Sequence, residues 1–214
     1  RLHERLGVTT VYVTHDQTEA MTLGQRVAVL KDGVLQQVDT PQRLFHAPRN
    51  LFVAAFIGSP TINLAEAEVG EGMLHFAGNS IPLPVGSGLP LGGKVIVGIR
   101  PSDLELAEYA DDSSPRISAT LEVVENLGAE LQVMFPVASP RVDVEAVRQA
   151  ASEGEDDQQL LADERSLFTA SLAARRPLAA SEQVELAIDT SRLHFFDPES
   201  GLALGKDKAT AWTG

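Results

Sequence analysis

The sequence predicts an α/β stretch over residues 1–60 followed by an all-β barrel over residues 61–214. Three observations carry this reading. Before Pro60, a β-branched run is followed by short segments with helical spacing and clear caps. After Pro60, short apolar runs recur between Gly and Pro residues at the interval expected of a small antiparallel barrel or sandwich. The charge also divides: residues 1–100 hold 8 acids and 8 bases, whereas 101–214 hold 22 acids and 9 bases, so the net −13 lies in the second half. The 214 residues suffice for one large or two small cores.

In order along the chain, Leu2 and Leu6 share a helical face, and Gly7 stands where a helix would stop. Val8 to Thr14 is β-branched and aromatic throughout, which reads as a strand buried on both faces, but without covering neighbours it is expected to be partly disordered, rearranged or buried against another copy. Gln17 to Leu23 predicts a short helix with Asp16 as its N-cap. Arg26–Leu30 and Val34–Val38 flank Lys31-Asp32-Gly33, a hairpin signal because Asp-Gly supplies residues that tolerate positive φ. Thr40-Pro41 opens another helix, closed by Pro48. Residues 51–57 form a last helix, too apolar to face water on all sides and therefore expected to bridge two bodies. Strands are then predicted at 65–69, 73–77, 80–85, 94–100, 117–125, 129–135, 167–173, 183–188 and 192–196. Residues 142–165 read as an excursion from the barrel, a short helix followed by an exposed loop that carries six acids.

The sharpest local signal is Val11-Tyr12-Val13-Thr14-His15-Asp16-Gln17-Thr18-Glu19-Ala20-Met21. A polar His-Asp step between a buried strand and a helix marks the sheet edge at which α/β proteins bind ligands. This string resembles the switch-histidine loop of ATP-binding-cassette ATPases. The likeness continues through the 26–38 hairpin, Thr40-Pro41-Gln42-Arg43-Leu44-Phe45, and Phe52 to Pro60 with Asn63. Val97-Gly98-Ile99-Arg100-Pro101, Val124-Glu125-Asn126-Leu127-Gly128 and Arg192-Leu193-His194-Phe195-Phe196-Asp197 resemble landmarks of the C-terminal regulatory domain in the maltose-importer branch. Residues 140–182 depart from the pattern.

The resemblance implies that 1–60 ends a nucleotide-binding domain and that 61–214 is an OB-like, TOBE-type regulatory domain. It implies that His15 is the switch histidine, which in the family hydrogen-bonds the γ-phosphate and helps to position the attacking water. ATP and Mg belong to the intact subunit; the Walker A, Walker B, glutamine-loop and signature motifs are not in these residues and are expected N-terminal of Arg1. The implied partners are a second copy of the chain and the permease subunits of an importer for sugars or related solutes. The implied location is cytoplasmic, peripheral on the inner face of the membrane.

Other function classes are disfavoured by composition. An excess of acids disfavours nucleic acid and anionic lipid, because phosphate backbones reward clustered Lys and Arg. Without Cys there is no disulfide, thiolate zinc site or Cys nucleophile. No apolar run approaches the ~20 residues needed to cross a bilayer. Gly88 to Lys94 imitates a phosphate loop, but Val95 replaces the magnesium-binding Ser or Thr and the chain continues as a strand. His3, His46, His75 and His194 lack ligand spacing, so no metal site is expected. Phe195 and Phe196 are expected to close the barrel core. The competing reading is a stand-alone regulatory or small-ligand-binding OB-like barrel without catalysis.

Overall fold

The computed structural model describes residues 9–84, 86–142 and 165–205. The helix tail over 2–6 and the helix and acidic loop expected within 142–165 fall outside them.

Helix α1 (Gln17–Leu23) starts where Asp16 Oδ1 accepts the Glu19 N–H at 3.1 Å. Strands β1 (Val27–Lys31) and β2 (Val34–Asp39) form the expected hairpin, turned by Asp32 and Gly33 at positive φ. Helix α2 (Pro41–His46) is capped by Thr40, and helix α3 (Leu51–Phe56) by Asn50, whose Oδ1 accepts the Val53 N–H at 2.9 Å. One expected element is absent. Residues 9–14 form no strand, and Val11 and Val13 are 86% and 89% exposed. β-branched residues favour extended backbone, but a strand also needs a partner ladder, and none of the described residues pairs with this segment.

The rest is antiparallel β. Strands β3 (Asn63–Gly70), β4 (Met73–Phe76), β5 (Asn79–Pro82), β6 (Lys94–Ile99) and β13 (His194–Phe196) form one sheet in the order β13-β6-β3-β4-β5. A second sheet has the order β7-β12-β8, from Leu104–Leu106, Gln183–Ile188 and Arg116–Thr120. A third has the order β11-β10-β9, from Arg165–Ala173, Glu130–Pro140 and Val123–Asn126. One buried cluster draws on all three sheets, including Leu74, Ile99, Phe135, Phe168 and Leu186. The run expected as one strand at 117–125 is two. Leu121 exchanges hydrogen bonds with the 181–182 turn, and Glu122 N–H then bonds Met134 O, so the chain passes from the sheet of β12 to that of β10. Between sheets, buried Asn63 imitates a ladder step: its Nδ2 donates to Thr169 O at 2.8 Å and its Oδ1 accepts Thr169 N–H at 2.7 Å. Pro140 pairs with Arg165, so the two ends of the unusual segment meet at the end of a hairpin.

Strand β6 explains its own composition. Val95, Val97 and Ile99 point into the barrel, while Ile96 points outward into a second cluster with Leu51, Ala54, Ile62, Leu64 and Phe196. That outer layer is helix α3. Its other side, Val53 and Ile57, packs with Val29 and Leu44 of the hairpin and α2. The apolar helix therefore does bridge the two parts of the chain, with Val53, Ala54 and Ala55 fully buried. Phe195 enters the barrel core and Phe196 the layer beneath α3.

Candidate functional site

Two neighbouring features make up the site: the loop that carries His15, and the junction behind it. In the loop, side chains on either side of His15 turn back onto their own backbone. Thr14 Oγ1 accepts the Asp16 N–H and donates to Glu19 Oε2, both at 3.0 Å, and Tyr12 OH donates to the same carboxylate oxygen at 2.9 Å. Glu19 also raises the Tyr12 phenol above its ordinary range, because its charge and hydrogen bond favour the protonated form. His15 faces solvent, with no hydrogen bond to its ring from the described residues. Such an imidazole is free to meet a ligand.

The junction is built on Arg100, at the end of β6 and 1% exposed. Its Nη1 donates to Ala54 O at 2.9 Å and Ile57 O at 2.5 Å, and its Nη2 to Phe45 O at 2.9 Å. These carbonyls lie in the last turns of α3 and α2, where helix geometry leaves them without intrahelical donors and with a negative partial charge. The guanidinium also stacks 4.2 Å from the centre of the Phe45 ring. Burial pushes its pKa down to about 10, opposed by the Asp103 charge. Asp103 is itself raised by burial, against its pair with Arg192 at 3.3 Å. Arg100 thus stays cationic at neutral pH. Gly58 makes room for it: at φ +122° a Cβ would stand 3.0 Å from Arg100 Nη1.

The loop and the junction are linked, since Gly58 donates its N–H to Gln17 Oε1 at 3.1 Å. Gln17 is two residues from His15 and Gly58 is next to Ile57. Neither this contact nor the Arg100 clamp was assigned from sequence. A signal existed for Arg100, a single charge closing the apolar run Val95 to Ile99 and followed by Pro101.

The remaining sequence candidates resolve as packing or surface. Lys94 opens β6 opposite Glu68, and the glycines before it form a turn, with Gly92 at φ +73°. His75 and Ser80 share a 2.5 Å hydrogen bond on the exposed face of β4 and β5. His46 meets the Phe45 ring edge-on. His194 stacks on Phe196, and burial, with the Arg100 and His46 charges, lowers its pKa to about 3. Among the described residues no group of His and carboxylates could hold a metal ion. None of their helices is long and apolar enough to cross a membrane.

Comparison with known proteins shows what the chain is similar to. Residues 58–104 match the MalK OB fold domain. The trehalose import ATP-binding protein SugC of Mycobacterium tuberculosis is 42% identical, over 95% of this chain and 53% of its own length. The trehalose/maltose import ATP-binding protein MalK of Thermococcus litoralis is 36% identical, over 95% of this chain and 50% of its own. The oligosaccharides import ATP-binding protein MsmX of Bacillus subtilis is 33% identical, over 94% and 50%. The chain spans about half the length of these relatives. That similarity runs through both the helical part and the barrel, so the chain is similar along its length to about half of each of these proteins, which are named as ATP-binding proteins of sugar import.

Proposed function

We propose that this chain is the C-terminal part of an ATPase subunit that drives import of a sugar or related solute. Residues 1–60 end its nucleotide-binding domain, and residues 61–214 form its regulatory barrel. His15 is the switch histidine, donating to the γ-phosphate of ATP bound with Mg by residues outside this sequence. The subunit works in the cytoplasm as a homodimer against permease partners at the inner face of the membrane. The observation that carries the reading is similarity over 94–95% of the chain to proteins named as sugar import ATP-binding proteins. The solvent-facing imidazole of His15 supports it.

By itself the 214-residue chain lacks the means to hold a nucleotide. One charge-assisted hydrogen bond contributes roughly 1.5–3 kcal/mol, whereas even millimolar affinity needs about 4.1 kcal/mol. Calorimetric titration with MgATP should show no binding below several millimolar, and a sub-millimolar site would overturn this part. When the chain is joined to the P-loop half of a subunit from the same branch, ATP should be hydrolysed. His15→Ala should then lower turnover by about 10²-fold or more, the scale of removing one transition-state donor. Unchanged turnover would remove His15 from the mechanism.

A further inference from the structure

We propose that Gln17 is a positioning residue for His15, and that through Gly58 and Arg100 it makes the His15 loop answer to the barrel. The inference rests on the reading of His15 given above and adds the regulation of that site. The geometry is a short relay. Gln17 Oε1 takes the N–H of Gly58. The preceding carbonyl, of Ile57, is held by Arg100 Nη1, which also holds Ala54 O. Arg100 directly follows β6, the strand hydrogen-bonded to both β3 and β13. The barrel end of the relay is therefore rigid, and no residue in it is exposed.

At the other end, the hydrogen bonds around His15 are local ones among Tyr12, Thr14, Asp16 and Glu19. They shape the loop without fixing where it stands. Gln17 is the first residue of α1, and its bond to Gly58 crosses 41 residues of sequence. Apolar contact of Met21 steadies the same helix one turn later. Gln17 thus sets the position of the helix start, and with it His15, relative to α3. The contact uses only an acceptor. Glu in its place keeps that acceptor, whereas Leu keeps the bulk and loses it. Arg100 makes no hydrogen bond to residues 9–24, so an effect of Arg100 on that segment must travel through the relay.

Amide hydrogen exchange on the 214-residue chain tests the relay without any nucleotide. Q17L should speed exchange at Gly58 and in α1 by about fivefold. Q17E should stay near wild type, and R100M should speed exchange in α1 by more than it speeds the β10–β11 amides. Unchanged α1 exchange in Q17L or in R100M, or failure of Q17E to restore protection, would overturn the relay. The joined, ATP-hydrolysing polypeptide tests positioning: Q17L should lower kcat at least threefold with KM within twofold, and Q17E should recover it. If H15A abolishes turnover while Q17L leaves kcat unchanged, Gln17 does not position His15. If H15A itself leaves turnover intact, the switch reading has failed, and the exchange results still stand or fall separately.

Discussion

At the scale of single residues, the junction concentrates the charges that the fold can least do without. Arg100 is buried with three carbonyls and an aromatic face about it, and its Nε has no partner among the described residues. Replacing it by Met would leave those helix-end carbonyls without donors in a closed site, a loss of about 2–4 kcal/mol. Urea unfolding should show this as a lowered midpoint. Lys should recover little, because one ammonium cannot reproduce a planar fork that reaches two helix ends. His194 gives a pH dependence with a definite sign. Burial beside Arg100 and His46 lowers its folded pKa to about 3, so the unfolded chain binds the extra proton. Its contribution is complete above the unfolded pKa near 6.5 and is lost as pH falls towards 3, by about 1.4 kcal/mol per pH unit. The difference in stability between wild type and H194F should therefore shrink on acidification. A difference that stays constant between pH 7 and 5 would contradict the assignment. Neither role was written in the local sequence: a lone histidine reads as surface or packing until the sheet that buries it is known.

At the scale of elements, most of the fold was legible. Caps at Asp16 and Thr40 and the Asp32-Gly33 turn carry their own chemistry, so the helices and hairpin they define appear where expected. Strand boundaries followed Gly and Pro. Two readings failed for one reason, which is that pairing is decided by neighbours rather than composition. Residues 9–14 have a strand's composition and no ladder, and residues 117–125 form two strands because the chain changes sheets at Leu121. The Asn63–Thr169 exchange is a third consequence of tertiary context, a side chain acting as a ladder step across 106 residues. Asn63→Leu would leave a part-buried N–H and C=O unpaired, at about 1–3 kcal/mol for each group. The melting temperature should drop by several degrees or more. A variant that melts with wild type would mean that the two sheets are held by their apolar core alone.

At the scale of the whole molecule, the proposed homodimer needs a surface to join its two copies. Two kinds of surface compete. The segment before α1 and the hairpin expose Val11, Val13, Leu30, Val34 and Leu35, all more than half accessible. Isolated apolar side chains on a surface need no partner, but several on an unpaired extended segment invite association with another chain. The barrel, by contrast, offers folded surfaces around a complete core, and a paired regulatory barrel would hold two ATPase halves near each other as they open and close. If the barrel carries the dimer, lysines at positions 11 and 13 should leave it intact. Sedimentation of wild type and of the V11K/V13K double variant at tens of micromolar should then give the same dimer mass. A shift to monomer in the variant alone would assign the association to the exposed segment. A wild-type monomer at the same concentration would remove the barrel as the coupling element. The substitutions lie on residues that are 86% and 89% exposed, so any change in association does not come from a disturbed core.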